Sequence, residues 1–155
     1  MDAVSFVGEY SGDDRQVRFA WNGKHTDGFV DENEEFRREV IDEVLRNPDA
    51  APVPLVRDLF RAETQWAVQA WCVDRRVREL ASLMLTKGGA AVLDEFVEGR
   101  ARSMDTWFEC DMLEIAPATA RSLQAEVERR LEESAHDPAD RELLSDALEF
   151  FRRRA

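Results

Sequence analysis

The densest run of side chains able to do chemistry is Asp31-Glu32-Asn33-Glu34-Glu35, four carboxylates and an amide in five residues. Such a run could hold a divalent cation or dock onto arginines. A calcium loop needs ligands at alternating positions around a central glycine and a glutamate at its end, and this order is missing here. The run reads instead as the start of a helix. Asp31 and Glu34 form a capping box there, and the acids suit the positive end of the helix dipole.

Glu133-x-x-His136 has the glutamate-histidine spacing of carboxylate-bridged metal bundles. Those bundles use the element twice with two further buried glutamates, whereas here it occurs once and runs into Pro138. His25 stands between turn residues with no cysteine or carboxylate at ligand spacing and reads as a surface histidine. Cys72 and Cys110 are single and far apart, outside any CxxC pair, which points to two reduced, buried thiols. Thr86-Lys87-Gly88-Gly89 holds fragments of a phosphate loop without GxxxxGK[ST], and a helix end explains it better. From these residues no catalytic, metal or cofactor site is expected.

The charge is more informative than any of these motifs. The chain has 155 residues and a net charge of -12, from 33 acidic and 21 basic side chains, and nearly all the bases are arginine. An acidic surface repels phosphate backbones, so direct nucleic-acid binding is not expected and a basic protein is the natural counterpart. The acids concentrate in the first and last thirds of the chain. Its apolar runs are too short to span a membrane and its N-terminus lacks the pattern of a secretion signal, so the reading is cytoplasmic.

The elements that would position these residues follow from periodicity. Val4, Phe6 and Tyr10, then Val17, Phe19 and Trp21, alternate around Ser11-Gly12-Asp13-Asp14, with Asn22-Gly23 as a type I′ turn signal. This predicts an antiparallel hairpin or meander over about residues 3–30. Phe108, Cys110 and Met112 alternate with acids and predict a further strand near 107–115. Four to five helices account for the rest: one after Asp31 along Phe36, Val40, Ile41 and Val44, a core helix or helix pair from Leu55 to Thr86 with a break near Val73-Asp74, a shorter one weakened by Gly99, one opened by Pro117 and running through Ser134, and a last one capped by Asp137. The stiff segment from Pro48 to Pro54 reads as an internal connector. The expected fold is a single α+β, predominantly helical domain over residues 1–155.

Three functions are compatible with this reading. The first is an acidic protein-binding module of the inhibitor or immunity type that masks a basic partner, using Asp31, Glu32, Glu34 and Glu35 together with Trp107, Glu109 and Asp111. The second is a small enzyme or ligand-binding domain with a site assembled from dispersed residues such as His25, Arg57, Glu63 and Asp74. The third is a homo-oligomer whose Leu55–Leu85 region buries a subunit interface. Trp66 and Trp71, five apart, cannot share one helix face, so one is expected in the core and the other at a rim.

Overall fold

A computed structural model describes residues 1–133 and 137–155, so the metal-like spacing at His136 and the helix end at Ser134 fall outside the described residues. Among the described residues no strand forms, and the chain is all-helical rather than α+β.

The expected hairpin is the first correction. Helix α1 spans Ala3–Glu9, capped by Asp2, whose Oδ1 accepts the Ser5 N–H at 2.8 Å. Phe6 and Val7 turn into the core and Val4 stays exposed, so the three-residue alternation of the sequence was too short to distinguish a strand from one helical face. Residues 10–33 then run irregularly. Side chains satisfy part of their backbone, with Asp31 Oδ1 accepting from Ala20 N at 2.9 Å and Asn33 Nδ2 donating to the carbonyls of Arg15 and Arg18, and two backbone bonds, Asn22 N to Val30 O and Glu32 N to Ala20 O, cross the segment without extending into a ladder. Trp21 and Asp31 form one isolated bridge. At Asn22-Gly23 only the glycine has positive φ, so no type I′ turn forms; Asn22 closes the loop with its side chain, donating to Gly28 O and accepting from Val30 N.

Helix α2 spans Glu34–Arg46, α3 Val53–Ala70, α4 Arg76–Gly88 and α5 Leu93–Ala101. Pro54 lies in the first turn of α3, where its missing N–H costs nothing, so the connector is shorter than its prolines imply. Trp71 ends α3 in the left-handed conformation and the chain breaks through 72–75 before α4. Gly99 seats a ring: a Cβ there would lie 2.4 Å from Phe60 Cε1, so the glycine permits packing rather than merely weakening α5.

The second strand is also a helix. α6 spans Met104–Asp111, set by a capping box in which Ser103 Oγ accepts from Thr106 N and Thr106 Oγ1 accepts from Ser103 N. Its inward residues are Thr106, Glu109 and Cys110, continued by Leu113, at helical and not alternating spacing. Two of those four are polar, which hid the period. Helices α7, Pro117–Glu133, and α8, Pro138–Arg152, pair with each other and close the fold. Phe96 of α5 is the hub of the core there, with ring centroids 5.3 Å from Phe150, 5.8 Å from Phe151 and 6.4 Å from Phe60.

Candidate functional site

The acids of residues 31–35 divide between two roles. Asp31 is buried and forms no capping box; Asn33 holds the cap position of α2. The Asp31 carboxylate faces Arg37, whose guanidinium is wholly buried, with Nη2 2.7 Å from Asp31 Oδ2 and Nε 2.6 Å from Glu63 Oε1. Burial depresses the tendency of Arg37 to stay charged, but Glu63 and Asp31 outweigh it and hold its proton more tightly than usual. Burial pushes the Glu63 carboxyl above the usual carboxylate range in spite of Arg37. Because Asp31 also binds Ala20 N, this ionic knot ties the irregular N-terminal segment to α2 and α3.

Glu34 is half-buried and spoken for as well, paired with Arg38 at 2.8 Å and accepting the Trp66 Nε1–H at 3.1 Å. Glu32, in the turn before α2, and Glu35 and Glu39, one helical turn apart on it, are exposed. Among the described residues none of these three has an ion-pair partner.

Around α6 the sorting differs. Glu109 is buried, with Arg78 Nε 3.2 Å from its Oε1. Asp111 gathers Arg153 at 2.9 Å, Arg100 at 3.6 Å and Arg154 at 4.0 Å. Trp107 is half-buried. Its ring covers the Arg100 guanidinium at 4.8 Å while Phe150 lies 5.1 Å from the same group, and Arg100 also bonds the Asp146 carboxylate. Of these three residues, expected as an interaction surface, Glu109 is buried, while Trp107 and Asp111 are half-buried and already engaged by arginines. Outward from α6 stand Met104, Phe108 and Met112 instead, the last two of which alternation assigns to the buried face of a strand.

Both regions adjoin α3, which α2 and α6 each contact, and Trp71 ends that helix. Trp71 there is 73% exposed and stacks on His25 at 6.0 Å, with Trp21 on His25 at 4.9 Å, whereas Trp66 is core. Cys72 is exposed, contrary to its expected burial, because the helix has already ended at Ala70. Cys110 is buried, and burial pushes its thiol up to about 12.

The dispersed residues of the enzyme reading take part in separate contacts: Glu63 with Arg37, Arg57 with Asp58, Asp74 with Arg76, and His25 with the tryptophans. A cavity of about 590 Å³ is lined by other residues, among them Leu45, Leu83 and Met112. Among the described residues no three His, Cys, Asp or Glu side chains are grouped to hold a metal, and no helix is long and apolar enough to cross a membrane. Leu55, Leu59, Leu80 and Leu85 are completely buried within this chain's own core. Comparison of the chain with protein-family models, with curated proteins and with solved structures found no match to any of them.

Proposed function

We propose that this chain is an acidic protein-binding module that masks a basic partner. The observation that carries the reading is the row of Glu32, just before α2, with Glu35 and Glu39 one turn apart on it: three exposed carboxylates without cations of the chain's own. Most of the arginines are turned onto carboxylates of the same chain, as with Arg37, Arg61, Arg76 and Arg100, so little positive charge remains to neutralise that row. Unpaired charge on a surface steers association with an oppositely charged protein and makes it salt-sensitive.

The test is capture from native lysate at low salt by the tagged chain, followed by a salt step and mass spectrometry, run beside Glu32→Lys/Glu35→Lys/Glu39→Lys. A basic protein recovered in stoichiometric amount by the parent and lost with the triple variant supports the reading. The same proteins recovered by both chains, or nothing above background from a folded parent, removes it.

A further inference from the structure

Helix α6 turns an apolar row to solvent. Met104, Phe108 and Met112 follow one another at four-residue steps and are 70%, 55% and 53% exposed. Single exposed apolar residues are ordinary; three aligned on one short helix form a patch, and such patches mark interaction surfaces. The helix cannot roll to hide them. The Ser103 capping box, the Arg78–Glu109 ion pair and the arginines around Asp111 fix its rotation, and its other face is already packed.

The surroundings of the row are acidic. Asp105 is exposed beside Met104, and Glu114 is exposed beyond Met112. On the α8 side, Glu142 and Asp146 line a cleft of about 290 Å³ with Met104, Trp107 and Leu143. The nearby cations are engaged: Arg78 by Glu109, with its Nη1 3.8 Å from the Met112 sulfur, and Arg100 beneath Trp107 by Asp146.

We infer that the Met104–Phe108–Met112 row is the docking site for a basic amphipathic helix presented by a protein partner. The inference rests on the basic-partner reading above and names the surface and the shape of the ligand. A row at four-residue steps offers a ridge that an amphipathic helix packs against with its own apolar stripe. Flexible methionine side chains adapt to such a stripe, and the acidic rim selects lysine or arginine beside it. A second copy of this chain is the poorer occupant, because it would bring Asp105, Glu114 and Glu142 against their own like charges in a protein of net charge -12.

The experiment titrates the full chain with synthetic peptides of leucine and lysine about 18 residues long. One has its leucines at helical spacing, and the other has the same composition scrambled so that no apolar face forms. Each is measured against the parent, Phe108→Ser/Met104→Ser, and Glu32→Lys/Glu35→Lys/Glu39→Lys, with circular dichroism confirming that every chain is folded. The patterned peptide is expected to bind the parent about tenfold or more tighter than the scrambled one, and the α6 variant to abolish that difference. If both peptides bind equally and the α6 variant changes neither, the docking site is overturned while the basic-partner reading stands. If neither peptide binds the parent, both fall. A parent that sediments as a dimer and becomes monomeric with the α6 variant overturns the inference in favour of a second copy.

Discussion

Residues 31–39 and 104–114 are each rich in acids, and the fold draws some of those acids inward in both. At the first region Asp31 and Glu34 are taken up by Arg37, Arg38 and Trp66, and Glu32, Glu35 and Glu39 remain as bare charge. At the second, Glu109 and Asp111 are taken up by Arg78, Arg153 and their neighbours, and the residues left outside are mainly apolar. Acid content along a sequence therefore does not measure free charge on a surface. What decides is which carboxylates the folded chain has already paired.

Removing a buried partner should have the largest effect. Glu63→Ala leaves Arg37 with Asp31 alone, deep inside, and should cost about 3–5 kcal/mol in urea unfolding, whereas Glu109→Ala releases Arg78, which is partly exposed and can be rehydrated, and should cost about 1 kcal/mol. Equal losses would mean that the two regions do not differ in how deeply they use their acids. A smaller effect sharpens the account of α6: Ser103→Ala removes a reciprocal cap and should cost about 1 kcal/mol, read from the shift in urea midpoint at unchanged slope.

Much of the helical framework was legible. The stripe Phe36, Val40, Ile41 and Val44, the apolar run broken near Val73, and the proline starts at Pro117 and Pro138 all read correctly, because long amphipathic periods and proline at a first turn are strong local signals. The errors share a cause. In α1 and α6 the segments are short, and in α6 the buried positions include Thr106 and Glu109, so apolar residues alone gave a false alternation. Asp31 was likewise taken as a surface cap since nothing local announces its burial with Arg37 and Glu63, the latter 26 residues beyond Arg37. The outward row of α6 became visible only once its inward face was known.

The thiols give a gentler check on the boundary between the regions, one that perturbs no contact. A colourless aromatic disulfide added near pH 8 should react with Cys72 in the native chain and with Cys110 only after unfolding, since one thiol is exposed and the other is buried with its ionisation pushed up to about 12. Two thiols reacting at one rate in the folded protein would contradict the placement of α6.

The most direct test of the sorting of acids compares two neighbours from a single run. Urea unfolding of Asp31→Ala and Glu35→Ala at one pH should show a loss of about 3–5 kcal/mol for the first and a change within about 0.5 kcal/mol for the second. Similar small changes in both would mean that Asp31 is as free as Glu35, and similar large ones that Glu35 is structural; either result contradicts the division between carboxylates that hold the fold and carboxylates left free to meet a partner.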